Sequence, residues 1–280
     1  MFVLKVIAGV IIALYLSGVL ALYFFQTRLI FYPGKLAKDF RFRTIPLREE
    51  VFLKTEDGET INGLFFPGED KTRAILYFHG NAGDLSGWQF VAEDLLPSGL
   101  SILIIDYRGY GKSTGSITEQ GLYADAEAAF QFLQDKKKIK PNAIIVYGRS
   151  IGSGVAVDLA SRKKCAGVIL ESSYSSLATL ANEKVPFFFP SFYLRSKFNN
   201  LEKINHVKAP IAFIHGSDDT LIPPAHSHIL FETFQGKKTY VLVEKGQHND
   251  LHAFPQFKDF IKTNLTSFFF GARGYQLSDN

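Results

Sequence analysis

The stretch Gly148–Gly152 reads G-R-S-I-G, so one serine lies between two glycines in the G-x-S-x-G spacing. A serine hydroxyl becomes a nucleophile when a tight turn exposes it and a nearby base removes its proton. An apolar, β-branched run at 143–147 precedes the stretch, and a helical pattern at 151–162 follows it. This strand–turn–helix order is typical of a nucleophile elbow, which makes Ser150 a candidate nucleophile. The alternative is a glycine-rich turn with an incidental serine.

A carboxylate and a histidine that could complete the chemistry follow two later strands. Asp218 and Asp219 come after the apolar run 211–214, and His248 comes after the run 239–243. His248 could take the proton of the serine, and an aspartate could hold the imidazole in the required tautomer and stabilise its charged form. The spacing favours neither aspartate over the other, and an acidic loop with no role in catalysis is the alternative for both.

An acyl-transfer reaction also needs backbone N–H groups that stabilise the oxyanion of its tetrahedral intermediate. One donor would be the N–H of Ile151, directly after the serine, and the other would come from the loop 79–84 after the first parallel strand. Within this loop we assign the donor to Asn81, with Ala82 as the second choice. We interpret His79 as a brace for the loop.

Other residues of chemically active types have structural explanations. Asp106 and Arg108 follow a strand in a glycine-rich turn that local hydrogen bonds can hold. His226 and His228 are two residues apart and would face different sides of a helix, which argues against a shared metal ion. No cluster has convincing metal-ligand spacing. We therefore predict no metal and no cofactor.

Strands and helices alternate through most of the chain, after a hairpin predicted around the Asp57-Gly58 turn. Strands are predicted at 74–78, 102–105, 143–147, 167–170, 211–214 and 239–243, and helices at 87–96, 118–137, 151–162, 225–234 and 257–269. This order predicts an α/β fold whose mostly parallel sheet has helices on both faces and one antiparallel edge. Active sites of such sheets lie beyond the carboxyl ends of the strands, where all the candidate residues fall.

One segment, 172–208, separates two strands by far more residues than a crossover needs. It contains the run P-F-F-F-P at 186–190, followed by S-F-Y at 191–193. Long insertions in compact domains are usually functional, so we predict a small helical lid over the carboxyl edge of the sheet. The alternative is a purely structural crossover.

The run Val6–Phe25 contains no charged residue and, as a helix, would span about 30 Å, the thickness of a bilayer hydrocarbon core. Its aromatic end suits a membrane interface and lacks the small-x-small site of a cleaved signal peptide. A buried core helix would rarely run so far without a polar face. We predict an uncleaved single-pass transmembrane helix at 1–28, a juxtamembrane linker at 29–50 and a catalytic domain at 51–280.

The distribution of charged residues bears on two questions: whether the protein binds nucleic acid, and on which side of the membrane the catalytic domain lies. The 280 residues carry a net charge of +4, which does not call for a nucleic-acid partner. Lys5 alone precedes the span, whereas Arg28, Lys35, Lys38, Arg41 and Arg43 are among the basic residues that follow it. The positive-inside rule favours a cytoplasmic catalytic domain, but long domains translocate regardless of such charges, so both orientations stay open. The sequence makes no prediction of oligomeric state.

Five motifs together resemble the α/β-hydrolase-domain proteins with an N-terminal membrane anchor, near the prolyl-oligopeptidase-related and depalmitoylase-like hydrolases. They are H-G-N-A-G at 79–83, D-Y-R-G-Y-G at 106–111, G-R-S-I-G at 148–152, H-G-S-D-D at 215–219 and G-Q-H-N-D at 246–250. The resemblance implies an α/β-hydrolase fold with Ser150 as nucleophile and His248 as base, in the family's chain order of serine, acid and histidine. The family pattern G-x-x-D-x-x-(I/V)-P places the acid at Asp219 rather than Asp218.

The resemblance leaves the substrate open, because related proteins are esterases, lipases, thioesterases and peptidases. The leading hypothesis is a membrane-anchored serine hydrolase acting on carboxylic or thioester acyl groups, since an apolar pocket gains about 0.8 kcal/mol for each CH₂ that it buries. A peptidase or amidase of the same fold is the first alternative. A non-catalytic scaffold that binds a partner through the aromatic lid is the second.

Overall fold

The computed structural model describes residues 1–42 and 48–271 of the chain. Residues 43–47 of the predicted linker, Arg43 among them, and residues 272–280 of the predicted catalytic domain lie outside the described residues. The strands are β1 (Tyr32–Pro33), β2 (Glu49–Lys54), β3 (Thr60–Phe66), β4 (Asp70–Phe78), β5 (Ala82–Gly83), β6 (Leu100–Ile105), β7 (Ile144–Arg149), β8 (Gly167–Glu171), β9 (Ile211–Gly216) and β10 (Lys238–Val243). The helices are α1 (Phe2–Ile30), α2 (Leu85–Trp88), α3 (Val91–Leu95), α4 (Glu119–Asp135), α5 (Gly152–Arg162), α6 (Leu177–Lys184), α7 (Asn200–Lys203), α8 (Ala225–Thr233), α9 (Pro255–Asp259) and α10 (Leu265–Phe270).

Eight strands form one sheet in the order β10-β9-β8-β7-β4-β6-β3-β2. The strands from β10 to β6 in this order run parallel to one another. β3 is antiparallel to both β6 and β2, so the predicted hairpin forms the edge of the sheet. The mostly parallel sheet with one antiparallel strand near its edge agrees with the prediction.

Alternating side chains of each central strand bury themselves on opposite faces of the sheet. In β7, Ile144 and Val146 join the cluster that contains residues of α4, α5 and α8. Ile145 and Tyr147 join a second cluster with residues of α3, α9 and α10. Because both faces are covered, strands buried in the middle of the sheet are apolar throughout rather than alternating with polar residues.

The predicted insertion, residues 172–208, which we call the lid, folds into short helical pieces. α6 begins after Ser176, whose hydroxyl accepts a hydrogen bond from the Thr179 N–H at 2.9 Å and so caps the helix. Two 3₁₀ turns follow, Pro186–Phe188 and Pro190–Phe192, and α7 leads back to the sheet.

α1 is the one helix within residues 1–42 and 48–271 that is long and apolar enough to cross a membrane, with a mean hydropathy of 2.4 in its most apolar stretch. Almost all of it is exposed. Its covered positions include every fourth residue of its second half, Gly18, Leu22, Gln26 and Ile30. This spacing places them on one side of the helix, and that side lies against the lid and the loop that follows β4.

Part of the predicted linker is a strand rather than a free connection. β1 pairs in parallel with β5. The Tyr32 N–H donates to the Asn81 carbonyl at 2.8 Å, and the Gly34 N–H donates to the Gly83 carbonyl at 2.7 Å. These bonds fasten the end of α1 to the loop that follows β4.

Candidate active site

The turn between β7 and α5 holds Ser150 in the left-handed region of backbone conformation, at φ 54°. Steric crowding explains the glycines on either side. A Cβ atom at Gly148 would lie 2.4 Å from the Gly152 carbonyl oxygen, and one at Gly152 would lie 2.2 Å from the Phe78 carbonyl oxygen. Only glycine fits at either position, so α5 packs closely on the sheet and the serine stands at the tip of the turn.

Three predicted residues meet at the carboxyl ends of β7, β9 and β10. His248 Nε2 lies 3.0 Å from Ser150 Oγ, and His248 Nδ1 lies 2.7 Å from Asp219 Oδ2. Ser150, Asp219 and His248 are all buried. The distances allow a proton to pass from the serine to the imidazole while the carboxylate holds the opposite ring nitrogen.

Asp219 is held by more partners than the sequence indicated. Its Oδ1 accepts hydrogen bonds from the backbone N–H groups of Leu221 (3.0 Å) and Ile222 (2.8 Å). His215 Nε2 lies 3.3 Å from Oδ2. Burial alone would raise the pKa of Asp219, but hydrogen bonds from His215 and His248 outweigh it and hold the pKa well below its usual range.

The alternative acid, Asp218, points elsewhere. Its side chain is exposed and accepts a hydrogen bond from the Ser217 hydroxyl at 2.7 Å. The structure therefore brings Asp219, and not Asp218, to His248. His215 was missed as a support for the carboxylate, although it begins the same H-G-S-D-D motif.

The candidate oxyanion donors, Asn81 and Ile151, line the same cavity as Ser150. Asn81 is tightly fixed. Its side-chain amide donates to the Ile30 carbonyl at the end of α1 (2.7 Å), and its carbonyl accepts a hydrogen bond from the Tyr110 hydroxyl at 2.8 Å. The placement keeps the N–H groups of Asn81 and Ile151 as our candidate donors.

His79, by contrast, is fully buried and packs away from the reacting groups. Its ring stacks on Trp88 with centroids 5.3 Å apart, and its Nε2 lies 3.5 Å from Asp106. Arg108 pairs with Asp125 at 2.9 Å and with Asp57 at 2.7 Å. These contacts agree with the structural roles predicted for these residues.

Arg149, which the sequence left unexplained, connects three parts of the site. Its Nε lies 3.2 Å from Glu171 Oε1 at the end of β8, and the cation sits over the Trp88 ring with 5.2 Å to the centroid. Its Nη2 donates to the carbonyl of His248 (3.3 Å) and to Asn249 Oδ1 (3.1 Å). Pairing with the nearby acid Glu171 is therefore one role of this residue.

A cavity of about 390 Å³ opens at Ser150 between the lid and the second half of α1. This volume falls at the low end of the range for small-molecule sites. Most of its lining is apolar, and the residues are drawn from three places: Leu22, Gln26, Leu29 and Ile30 of α1; Tyr174, Leu177, Leu180, Ala181, Lys184, Val185, Pro190, Tyr193 and Leu194 of the lid; and Asn81, Ser150, Ile151, Leu221 and Ile222 of the loops around the sheet. The sequence did not indicate that α1 would form a wall of the site.

Among the residues that the structure describes, no group of three or more histidine, cysteine, aspartate or glutamate side chains is arranged to hold a metal ion.

Comparison with known proteins yields relatives of one family. A family model of the α/β-hydrolase fold matches residues 73–201. An uncharacterised protein of Mycobacterium tuberculosis is 36% identical over 243 residues, which cover 86% of each chain. The human α/β-hydrolase domain-containing protein 17B is 35% identical over 219 residues, covering 76% of this chain and 74% of that protein.

Solved structures of the same fold are more distant in sequence. An esterase of Pyrococcus furiosus superimposes with a TM-score of 0.66 at 22% identity, covering 85% of this chain and 96% of the esterase. An α/β hydrolase from a Penicillium species superimposes with a TM-score of 0.62 at 17% identity, covering 79% of this chain and 95% of the other. At these identities the likeness concerns the fold, and it confirms the fold class predicted from the sequence.

Proposed function

Because the chain belongs to the α/β-hydrolase family, we propose that it is a membrane-anchored serine hydrolase that cleaves carboxylic ester or thioester bonds of acyl or lipid-like substrates. One observation carries the proposal. The contacts from Asp219 through His248 to Ser150 end at an apolar cavity that has the membrane-length helix α1 as one wall.

The reaction uses the three side chains in sequence. Ser150 Oγ attacks the acyl carbonyl carbon while His248 Nε2 takes its proton. The N–H groups of Asn81 and Ile151 stabilise the negative charge that forms on the carbonyl oxygen. The tetrahedral intermediate then collapses, and the leaving alcohol or thiol takes the proton from His248. An acyl group remains bound to Ser150 as an ester.

Water completes the cycle. His248 removes a proton from a water molecule as it attacks the acyl-enzyme, and the second tetrahedral intermediate releases the carboxylic acid and restores the serine hydroxyl. Asp219 stays ionised throughout, orients the imidazole and stabilises its charged form. The buried position of the carboxylate supports this role, as do its hydrogen bonds with the Leu221 N–H, the Ile222 N–H and His248 Nδ1.

The apolar cavity supports an acyl chain as the group on the carbonyl side of the bond. Each CH₂ buried contributes about 0.8 kcal/mol of binding free energy, which favours longer chains until the cavity is full. We assign the membrane span to residues 1–28, the linker to 29–50 and the catalytic domain to 51–280, with the lid at 172–208. The exposed apolar surface of α1 supports the first of these assignments.

Covalent labelling tests the nucleophile. The full chain in detergent is treated with a fluorophosphonate probe, alongside Ser150→Ala and Ser153→Ala. Ser153 is a matched control because it lies one turn away, buried, with its hydroxyl bonded to the Ser150 carbonyl at 2.7 Å. We expect labelling of the wild type and of Ser153→Ala only. Equal labelling of the wild type and Ser150→Ala would contradict the assignment.

A comparison of matched substrates determines which class of bond the protein cleaves. An oxygen ester, a thioester and an amide of the same acyl chain are compared on the wild type, with Ser150→Ala as the blank. We expect ester and thioester turnover to exceed amide turnover by about tenfold or more, a difference of about 1.4 kcal/mol in the barrier. Faster amide turnover would instead identify an amidase, and a folded protein with neither turnover nor labelling would be a non-catalytic binding protein.

A further inference from the structure

The tip of the lid is an uncharged aromatic segment on the surface of the protein. Residues 185–194 read V-P-F-F-F-P-S-F-Y-L, and the basic residues Lys184 and Arg195 flank them. Phe187 is 81% exposed and Phe192 is 85% exposed. A contiguous apolar patch with a charged rim on a soluble surface marks a site of contact with a partner or a membrane.

The lid tip lies along α1, and its contacts follow the helix toward the N-terminus. The Arg195 N–H donates to Gln26 Oε1 at 2.7 Å, and the Tyr193 ring meets the Tyr23 ring with centroids 6.5 Å apart. Further along, the Phe188 ring stacks on another α1 side chain, Tyr15, with centroids 5.7 Å apart and an angle of 3° between the planes.

The α1 residues that the lid tip contacts indicate how deep the tip would lie in a bilayer. The uncharged run of α1 ends at Phe25. Tyr15 is ten residues before Phe25, which corresponds to about 15 Å along the axis at a rise of 1.5 Å per residue. If α1 spans the bilayer, Phe188 is at the depth of Tyr15, well inside the hydrocarbon region.

We propose that the lid tip, residues 185–194, is embedded in the same leaflet as the second half of α1, and that the cavity at Ser150 therefore opens into the bilayer. The substrate is then an acyl ester or thioester resident in the membrane, whose chain enters sideways between α1 and the lid. This inference rests on the proposed function, because it names the source of the acyl group that Ser150 attacks.

The charged residues at the two ends of the lid tip fit the same placement. The Arg195 guanidinium lies over the Tyr23 ring at 4.6 Å from the centroid, and Tyr23 lies at the interfacial end of α1. Aromatic and long basic side chains gather at the boundary between hydrocarbon and headgroups. The uncharged tip thus lies in the hydrocarbon with Arg195 at the interface, while Lys184 at the other end donates to the Thr220 carbonyl of the catalytic domain at 3.0 Å.

The walls of the cavity give the route. Leu22 and Leu29 come from α1, and Tyr193 and Leu194 come from the lid. Both elements border the hydrocarbon in this placement, so a chain that moves along the seam between them reaches Ser150 without exposing its CH₂ groups to water. That avoids the free-energy cost of transferring an acyl chain through the aqueous phase.

Depth-dependent fluorescence quenching tests the placement. Phe192→Trp is reconstituted as the full chain in nanodiscs whose lipids are brominated at a shallow or a deep acyl position. Leu20→Trp, exposed on α1, reports the span itself. Phe270→Trp is the control, since Phe270 lies beside Arg73 toward the amino end of β4, away from the carboxyl ends of the strands. The wild type, with its one tryptophan, supplies the baseline.

We expect brominated lipid to quench both Leu20→Trp and Phe192→Trp. The shallow bromine should quench Phe192→Trp more strongly than the deep one, because the neighbouring Tyr193 ring meets Tyr23 at the interfacial end of α1. Neither lipid should quench Phe270→Trp beyond the wild-type baseline. Quenching of Leu20→Trp without quenching of Phe192→Trp would overturn the embedded lid and leave the anchor intact. If Leu20→Trp is also unquenched, the anchor and the embedded lid are both wrong.

Activity tests the route separately. Phe192→Glu places a charge at the lid tip and is assayed on methylumbelliferyl oleate in the nanodisc and on methylumbelliferyl butyrate in solution. We expect kcat/KM to fall by about tenfold or more for the oleate ester and to stay within about twofold for the butyrate ester. Equal losses on both esters would overturn lateral entry. A wild type that hydrolyses neither ester would overturn the proposed function itself.

Discussion

Arg149 donates a hydrogen bond to the main-chain carbonyl of His248 at 3.3 Å, although the two residues are 99 positions apart in the sequence. The residue before the proposed nucleophile thus holds the residue proposed as its base. The same guanidinium pairs with Glu171 at the next strand end. A single planar cation therefore sets the distance between the elbow and the histidine loop.

Arg149→Lys tests this positioning role. A lysine keeps the charge, but one ammonium group cannot reproduce the fork that reaches Glu171 and the His248 loop together. We expect kcat to fall by about tenfold with KM little changed, because the base is less well placed while the acyl cavity is intact. Steady-state kinetics on the butyrate ester measure kcat and KM separately. Arg162→Lys, at the surface end of α5, is the matched control. An unchanged kcat in Arg149→Lys would show that Arg149 does not position His248.

Substitution of the neighbouring residues Asp218 and Asp219 tests which carboxylate supports His248. Asp219→Asn retains the size of the side chain but no longer stabilises the charged imidazole, so we expect kcat to fall by about 10³ to 10⁴. Asp218→Asn alters an exposed side chain that is bonded to Ser217, and we expect activity within about twofold of the wild type. Kinetics on one short-chain ester compare the two. A reversed order of the effects would assign the acid to Asp218.

The pKa of Asp219 also predicts how stability depends on pH. Burial acts to raise this pKa, but the hydrogen bonds from His215 and His248 lower it below the unfolded value of about 3.9. Since the folded pKa is the lower one, the ionised carboxylate contributes stability that is fully present above the unfolded pKa and is lost as the pH falls through the folded pKa. We expect the Tm difference between wild type and Asp219→Asn to shrink as the pH falls from about 5 to about 3. Thermal unfolding in detergent measures it, and a gap that widens over this range would contradict the sign.

The glycines of the elbow predict a stability effect with a clear contrast. A Cβ at Gly152 would lie 2.2 Å from a carbonyl oxygen of β4, whereas one at Gly87 in α2 would meet nothing within 4 Å. We expect Gly152→Ala to destabilise the fold by about 3 kcal/mol. Gly87→Ala should be neutral or stabilising by up to about 1 kcal/mol, because alanine favours helix more than glycine does. Thermal unfolding of the two variants side by side compares their stabilities. Equal midpoints would mean that the backbone at Gly152 relaxes freely to admit the added methyl group.

Local patterns were sufficient for the sheet and for most of the site. The apolar runs of the parallel strands are visible in the sequence because each strand is buried on both faces, and the polar loops after them stand out for the same reason. Ser150 and His248 could therefore be placed at strand ends. Asp219 needed the family pattern, because its distinction from Asp218 depends on loop geometry that spacing alone does not specify.

Contacts between distant segments could not be predicted in this way. The support of Asp219 by His215 and the pairing of Arg149 with Glu171 depend on how neighbouring strand ends align in space. The last helical segment contains a π-helical stretch, Phe260–Asn264, between α9 and α10 that apolar periodicity does not reveal. The largest omission is the packing of α1 on the lid, because a run of apolar residues indicates a span without indicating which of its sides another element covers.

The packing of the lid on α1 predicts how a bulky side chain at Gly18 affects the hydrolysis of membrane-resident esters. Gly18 permits the close approach, since a Cβ there would lie 2.7 Å from Cε1 of Phe188, whereas a Cβ at Gly9 would meet nothing within 4 Å. Gly18→Leu should push the lid tip away from the helix and widen the seam, at a cost of about 1 to 3 kcal/mol in packing. We expect it to lower kcat/KM for the membrane-resident oleate ester by about tenfold while the soluble butyrate ester is hydrolysed within about twofold of the wild-type rate. Gly9→Leu adds the same bulk to the same helix and should change neither. If the two variants behave alike on both esters, the contact between Phe188 and α1 has no part in delivering substrate to Ser150.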